Sequence, residues 1–248
     1  MNIHSTAVIG NNVKLGHQVS VGAFTIIEGN TAIGDGSKID SHCHIGYSNF
    51  KHDQSELKIG ANSHIRSHSV FYSGSSFGDN LVTGNRVTVR EGTSARDGLQ
   101  IGTLSDIQGH CSIGEHTKLH SNVHIGHKSI IEGYVWIFPY VVLTNDPHPP
   151  SEFQVGCTIK KYAAIATMAV VLPGITVGEG ALVGAQTLVR EDIPDNMICV
   201  GNPGKIVGET SKIKLRGSDC AAYPWRRHFH RGYPEGIVAK WRQEFPNS

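Results

Sequence analysis

The sequence of 248 residues has no excess of charge of either sign, and this excludes several classes of function. Lys and Arg number 22 against 21 Asp and Glu, a formal net charge of +1. A chain with this balance has no general electrostatic attraction for nucleic acid or for an anionic membrane. We therefore predict neither kind of partner.

Long apolar runs and paired cysteines are also lacking. No run of about 18 apolar residues indicates a membrane-spanning helix. The first residues, MNIHSTAVIG, lack the basic-then-apolar layout of a signal peptide. The five cysteines are an odd number and include no CxxC pair. These absences predict a cytoplasmic protein without a membrane-inserted segment.

The most regular feature present is an aliphatic residue at every sixth position. The pattern occupies three stretches, Ile3 to Ile45, Ile59 to Leu143 and Phe153 to Val189. Ile, Leu or Val fills 25 of these 30 positions, whereas their share of the sequence, 56 of 248 residues, would put about seven there by chance. Gly follows in 13 of the 30 hexads. The chain is therefore a repeat protein.

A period of six predicts an all-β fold built from stacked coils. Each hexad supplies one short strand and one turn, so three hexads close a triangular coil of about 18 residues. Thirty hexads give about ten coils, a prism roughly 45–50 Å long at about 4.8 Å per coil. We assign residues 1–207 to this parallel β-helix domain and residues 208–248 to a C-terminal extension.

Two insertions interrupt the repeat, at residues 46–58 and 144–154. The second contains TNDPHPPSEFQ, whose three prolines prevent strand pairing. Binding tends to concentrate in loops on a rigid scaffold, although β-coils also tolerate insertions at their corners. In the extension, EGIVAKWRQEF predicts a short amphipathic helix. We expect the extension to cap the open end of the prism or to contact another subunit, with phosphate binding as the alternative.

The coil length predicts which polar side chains meet. Residues 18 apart lie one above the other, so Asp106 and His124 should stand side by side on the outer surface. His127 occupies a corner, and Asn145, at the start of the second insertion, follows it by one coil. The spacing therefore gathers a carboxylate, two imidazoles and an amide beneath the lip of a loop.

A purely structural interpretation of the histidines is also available. Corners favour residues that tolerate left-handed turns, and 15 histidines make some clusters inevitable. This interpretation is favoured for His116 and His120, which lie elsewhere on the coil. Because the repeat excludes a helix here, the four-residue spacing of His120 and His124 does not indicate a helical metal site.

The hexad pattern resembles that of the hexapeptide-repeat acyltransferases, whose prisms coil left-handed. Within it, NVHIGHKS resembles the segment that carries the catalytic histidine in lipid A-type UDP-amino-sugar acyltransferases. The resemblance implies that His127 is the general base, with His124 as its neighbour or as the alternative base. An acidic residue follows the second histidine in those proteins, whereas Lys128 follows it here.

The second insertion and the end of the repeat extend the resemblance. VVLTNDPHPPSE resembles a stretch of bacterial nucleotide-amino-sugar N-acetyltransferases whose asparagine lies beside the acetyl-CoA thioester, which implies that role for Asn145. The segments ITVGEGALVGAQTLV and VGNPGKIV resemble the coenzyme A end of hexapeptide acetyltransferases. The implied coenzyme contacts are Ala166, Gly184, Asn202, Pro203 and Lys205. The first insertion and the run HIRSHSVFYSG resemble the nucleotide-sugar side of lipid A acyltransferases, which implies that Arg66 and Tyr72 contact the nucleotide.

The resemblance implies an acetyltransferase that uses acetyl-CoA, without a metal, to acetylate the amino group of a dTDP- or UDP-linked deoxyamino sugar for lipopolysaccharide or O-antigen synthesis. It also implies a homotrimer with its sites between subunits. One alternative is transfer of longer acyl chains from acyl carrier protein. A γ-type carbonic anhydrase would need two zinc-binding histidines five residues apart, and no two histidines here have that spacing. A purely structural β-prism is the remaining possibility.

Overall fold

The structure, a computed structural model, describes residues 1–48 and 55–246. Its strands are β1 Asn2–Ile3, β2 Val8–Ile9, β3 Lys14–Leu15, β4 Ser20–Val21, β5 Ile26–Ile27, β6 Thr31–Ile33, β7 Lys38–Ile39, β8 His44–Tyr47, β9 Leu57–Ile59, β10 His64–Ile65, β11 Val70–Tyr72, β12 Ser76–Phe77, β13 Val82–Thr83, β14 Thr88–Val89, β15 Ser94–Ala95, β16 Gln100–Ile101, β17 Asp106–Ile107, β18 Ser112–Ile113, β19 Lys118–Leu119, β20 His124–Ile125, β21 Ile130–Ile131, β22 Trp136–Ile137, β23 Val142–Leu143, β24 Thr158–Ile159, β25 Ala164–Ile165, β26 Val170–Val171, β27 Thr176–Val177, β28 Leu182–Val183, β29 Leu188–Val189, β30 Met197–Val200 and β31 Lys205–Glu209. Two 3₁₀ helices, Thr210–Lys212 and Trp225–Arg227, and one α-helix, α1 (Glu235–Glu244), follow.

The strands form the three faces of a left-handed parallel β-helix, as the repeat and the family resemblance predict. Sheet 1 contains every third strand from β1 to β28, followed by β30 and β31; sheet 2 runs in the same way from β2 to β29, and sheet 3 from β3 to β27. Residues 18 apart pair in parallel, for example Gln100 with Lys118 and Asp106 with His124. Sheet 1 stacks eleven parallel strands, because β30 adds a rung after the sequence repeat has ended.

Both insertions shift the register without breaking the stack. At the first, Lys38 pairs with His64, 26 residues later; at the second, Trp136 pairs with Ala164, 28 residues later. The predicted loop at 46–58 includes residues 49–54, which lie outside the described part of the chain. The two ends of the predicted loop, residues 46–47 and 57–58, belong to β8 and β9. Fewer of the described residues therefore lie in the loop than we predicted.

The core is the column of aliphatic residues from which the period was detected. Ile27, Ile65, Ile107 and Ile125 are fully buried in one continuous cluster. Smaller buried residues line the corners, and their hydroxyl groups donate to backbone carbonyls, as Ser129 Oγ does to Gly126 O at 2.7 Å. Most of these buried hydroxyls are paired in this way, with Thr31 and Thr93 as exceptions among the described residues.

The corners explain many of the histidines. Four corner histidines have a positive φ. It is +52° for His116 and between +59° and +64° for His42, His68 and His110. This is the left-handed region that polar residues tolerate best after glycine. The structural interpretation of His116 is therefore consistent with its backbone.

The C-terminal extension packs along the side of the prism. We predicted a cap over the open end or a contact with another subunit, and the aromatic part of the extension lies against sheet 1 and the corner before it. This cluster contains Tyr233, Val238 and Trp241 of the extension with Tyr134, Trp136 and Tyr162 of the prism. Trp136 Nε1 donates to the Tyr233 hydroxyl at 2.8 Å, and Trp225 Nε1 donates to Tyr162 O at 3.0 Å. The predicted helix is present as α1, and its buried face completes the cluster.

Candidate active site

Two corners of the prism carry the residues singled out by the sequence. In the coil of β19 and β20, residues 120–123 join sheet 1 to sheet 2 and residues 126–129 join sheet 2 to sheet 3. We call these positions, in every coil, corner 1/2 and corner 2/3. The outer face of sheet 2 lies between them.

Asp106 and His124 are paired on this outer face. They are register partners on adjacent strands, and His124 Nδ1 lies 3.1 Å from Asp106 Oδ2. Gln108 Nε2 donates to the same carboxylate oxygen at 2.6 Å. Burial alone would raise the pKa of Asp106, but the hydrogen bonds from His124 and Gln108 outweigh it and lower the pKa below its ordinary 3.8. The carboxylate is therefore ionised at neutral pH and fixes the orientation of the His124 ring.

His127 lies on corner 2/3 of the same coil, half-buried. The left-handed residue of this corner is Lys128, with φ of +63°, so no backbone requirement explains a histidine at position 127. Its ring centroid is 5.1 Å from that of His110, one coil below. Burial, followed by the positive charge of His110 and Lys128, lowers the pKa of His127 below its ordinary 6.5. The imidazole is therefore neutral at pH 7 and able to accept a proton.

Asn145 follows His127 by one coil, and its side chain lies over Gly126. A Cβ placed on Gly126 would lie 2.6 Å from Leu143 O and 2.9 Å from Asn145 Oδ1, so only glycine allows this approach. The loop that follows is ordered by Asp146, whose carboxylate accepts hydrogen bonds from the Ser151 hydroxyl at 2.7 Å and from two backbone amides. The predicted constellation of Asp106, His124, His127 and Asn145 is thus assembled on neighbouring coils.

Two further polar residues belong to this region and were missed from the sequence. Arg90 and Gln108 lie 18 and 36 residues after Tyr72, in the column that Gly126 continues. The Arg90 guanidinium pairs with Glu91 at 2.9 Å and lies 5.7 Å from the centre of the Tyr72 ring. The 18-residue spacing that found Asp106 would have found both, had it been applied to this column.

The residues expected to contact coenzyme A lie elsewhere. Ala166 and Gly184 are stacked on corner 1/2, in the same column as Arg66, and their amides donate to Val183 O and Cys199 O of the next coils. At the end of the prism, Asn202 and Pro203 lie in the turn between β30 and β31, and Lys205 is the first residue of β31. Pro203 and Lys205 line a cavity of about 390 Å³ there. One chain therefore does not bring these residues together with His127, because the two groups occupy different corners.

Among the described residues no group of three or more His, Cys, Asp or Glu side chains is arranged to hold a metal ion. In the same part of the chain, no helix has the length and apolar character needed to cross a bilayer.

Comparisons with known proteins find partial matches to acyltransferases. No family model matches the chain. A dTDP-3-amino-3,6-dideoxy-α-D-galactopyranose 3-N-acetyltransferase from Aneurinibacillus thermoaerophilus is 36% identical over 86 residues, covering 33% of this chain and 43% of that protein. An acyl-[acyl-carrier-protein]–UDP-N-acetylglucosamine O-acyltransferase from Saccharophagus degradans is 32% identical over 141 residues, covering 52% and 47%. Both relatives are acyltransferases, and the chain is similar to each of them over part of its length.

A solved structure supports the fold of the chain independently. The Arabidopsis UDP-N-acetylglucosamine acyltransferase superposes with a TM-score of 0.69 at 18% identity, covering 99% of this chain and 84% of that one. At this identity the match establishes the architecture alone. The alignments to the two curated relatives span less than half of each relative's length.

Proposed function

We propose that the protein transfers an acetyl group from acetyl-CoA to the amino group of a dTDP- or UDP-linked deoxyamino sugar. The observation that carries this proposal is the neutral His127 beneath the Asn145 loop, three residues after the His124 that pairs with Asp106, in a chain similar to acyltransferases. We place the reaction in the cytoplasm and in the synthesis of lipopolysaccharide or O-antigen sugars.

His127 would act as the general base. The sugar nitrogen attacks the thioester carbonyl carbon, the nitrogen loses a proton to the imidazole, and the carbon–sulfur bond breaks as coenzyme A leaves and takes up the proton. Asn145 would lie beside the thioester, and backbone amides of the corners would stabilise the oxyanion. His124, held by Asp106, is the alternative base. Either group requires an unprotonated imidazole.

Direct transfer is favoured over an acyl-enzyme on Cys43, Cys111 or Cys157, because these three thiols are buried. Burial raises the pKa of Cys43 and Cys111 to about 11 and that of Cys157 to about 12. These thiols are therefore neither accessible nor ionised at neutral pH, and a thiolate is the form that attacks. No step through a covalent intermediate is needed.

A site shared between subunits follows from the two corners. Corner 1/2 exposes apolar side chains at positions with positive φ, namely Phe24, Leu104, Tyr140 and Met168, which are 49–59% exposed. Solvent-exposed apolar side chains at positions of strained backbone favour contact with a second copy of the chain. We propose a homotrimer in which corner 1/2 of one chain, which carries Arg66, Ala166 and Gly184 on different coils, faces corner 2/3 of the next, which carries His127. A monomeric mass in sedimentation equilibrium would contradict it.

A second candidate function is transfer of a longer acyl chain from acyl carrier protein to a UDP-amino sugar. It is favoured by the longer alignment to the Saccharophagus enzyme, 141 residues against 86. The acetyl proposal is favoured by the proline-bearing loop after Asn145 and by the GNPGK segment. The two candidates share the base and differ in the donor.

The deciding experiment follows thiol release from acetyl-CoA with a chromogenic thiol reagent. The acceptors are dTDP- and UDP-linked 3-amino and 4-amino deoxysugars, each with its hydroxyl analogue as the matched control. Release with an amino sugar, and not with its analogue, would support N-acetyl transfer. Release with none of them, together with activity on acyl carrier protein thioesters, would replace the proposal by the second candidate.

The pH dependence of this reaction tests the base directly. Since burial and neighbouring positive charge lower the pKa of His127, we expect the acid limb of kcat/KM to have its midpoint below pH 6.5. Lys128→Met removes one of these charges and should shift the midpoint upward. Methionine suits the position, because Met168 adopts the same backbone conformation, with φ of +62°. A midpoint above 6.5, or no response to Lys128→Met, would argue against His127.

A further inference from the structure

A cavity of about 480 Å³ opens between sheet 1, corner 1/2 and the C-terminal extension. Its cationic side chains come from three parts of the chain: Arg66 from corner 1/2, Lys118 from β19, and Arg231 from the extension. Gln100 and His120 add polar groups to the same wall. None of the described residues that line it is acidic. We call it the cationic cavity.

Lys118 is the unusual member of this group. Only 7% of the residue is exposed, yet no carboxylate in the described chain forms an ion pair with it. Its nitrogen lies 4.2 Å from the Tyr233 ring centre and 4.8 Å from that of Trp136, with one long hydrogen bond of 3.5 Å to Arg231 O. Burial, followed by the charge of Arg231, lowers its pKa. A buried ammonium group without a counterion is costly, so an anionic ligand is the partner that would offset the cost.

A second cavity adjoins the first and has a different character. It measures about 320 Å³ and shares Trp136, Phe229 and Arg231 with the cationic cavity. Its remaining lining residues are Phe138, Ala164, Tyr223 and Trp225. We call it the aromatic cavity. Ring systems of this kind stack on planar bases and are common in small-molecule sites.

We propose that the two cavities together bind a nucleoside that carries two phosphate groups. The phosphates would lie among Lys118, Arg231 and Arg66, and the base would stack in the aromatic cavity. Two sources share this chemistry: the nucleoside diphosphate of the acceptor sugar, and the adenosine end of coenzyme A with its 3′- and 5′-phosphates. This deepens the proposed function, on which the choice of nucleotides rests, and assigns the C-terminal extension a role in binding.

The test measures binding by titration calorimetry at low salt, with dTDP, UDP, adenosine 3′,5′-bisphosphate and pyrophosphate as probes. Lys118→Met keeps the aliphatic stem and removes the charge. We expect affinity for one nucleotide to fall roughly tenfold or more, as for loss of a charged hydrogen bond. Binding of dTDP or UDP would assign the cavities to the acceptor, and binding of the bisphosphate would assign them to coenzyme A.

The matched control is Lys161→Met. Lys161 also lies over aromatic rings of the same cluster, 5.1 Å from the centre of Tyr162 and 5.4 Å from that of Tyr134, but it does not line either cavity. The affinity of the Lys161→Met protein for the same nucleotide should stay within about twofold of the wild type, a difference of less than 1 kcal/mol in binding free energy. Arg66→Met, on the wall opposite the extension, should weaken binding even if Lys118→Met disturbs the extension.

Three outcomes would overturn the inference: no nucleotide binds the wild-type protein, Lys118→Met and Arg66→Met bind it as tightly as the wild type, or both lysine variants weaken it equally. The last would mean that Lys118 only fastens the extension through its rings. Because no acetyl transfer is measured, nucleotide binding without thiol release would contradict the proposed function and leave this inference standing.

Discussion

Replacement of His127 by alanine is expected to lower kcat for acetyl transfer by roughly 10²–10⁴-fold, the usual contribution of a positioned general base. The affinity for acetyl-CoA should be unchanged, because the imidazole acts on the proton of the attacking amine and not on the donor. Thiol release gives kcat, and calorimetry with coenzyme A gives the affinity. We therefore expect a variant that has lost most of its turnover and still binds its acyl donor.

A corner histidine with a structural reason for being there supplies the control. His42 has φ of +60° and stacks between Phe24 and His68, with ring centroids 5.1 and 5.0 Å away. Asparagine adopts this backbone conformation readily, so His42→Asn should leave kcat within about twofold. A comparable loss in both variants would mean that the assay reports damaged corners and not a lost base.

The same experiment decides between the two imidazoles. If His127→Ala keeps its turnover while His124→Ala loses it, the base is His124. In that case Asp106→Asn should also lose activity, because the carboxylate that orients the His124 ring is gone. If neither variant loses turnover, the amine sheds its proton without help from the protein. The proposal of a histidine base then fails as a whole.

Much of this site was accessible from the sequence because the β-helix converts spacing into contact. Once the coil is known to contain 18 residues, the 3.1 Å approach of Asp106 and His124 follows from their numbers alone. The same arithmetic places Asn145 one coil above His127. Few folds permit this, since in most of them side-chain neighbours depend on the packing of distant elements. The role of each group in catalysis stays a prediction.

What the sequence did not reveal lacks this periodicity. The contact between Lys118 and Arg231 joins residues 113 positions apart, and nothing in the hexad pattern specifies where the extension returns. The hexad pattern also does not show that Trp136 and Tyr134 present an apolar surface to the outside, against which the extension packs. These outward aromatic residues are the signal that could have been used: they occupy positions that are normally polar in a β-coil.

The second large effect concerns the prism itself. Phe71 is fully buried, and its ring meets that of Phe77 edge to face at a centroid distance of 5.2 Å. Most other inward positions hold aliphatic residues, so these two rings fill a cross-section that neighbouring coils fill with smaller side chains. We expect Phe71→Ala to reduce the free energy of unfolding by about 3–5 kcal/mol, from lost burial and the cavity left behind. Denaturant titration followed by circular dichroism measures it.

Phe153, 67% exposed in the second insertion, provides the comparison for this change. Phe153→Ala removes the same atoms from the surface and should alter stability by less than about 0.5 kcal/mol. Since each coil contacts only its neighbours, Phe71→Ala should also lower the slope of unfolding against denaturant if the coils before β11 melt separately. If Phe71→Ala and Phe153→Ala lowered the free energy of unfolding equally, the side chains around position 71 would have to close over the deleted ring. The uniform inner column would then be less closely packed than its burial indicates.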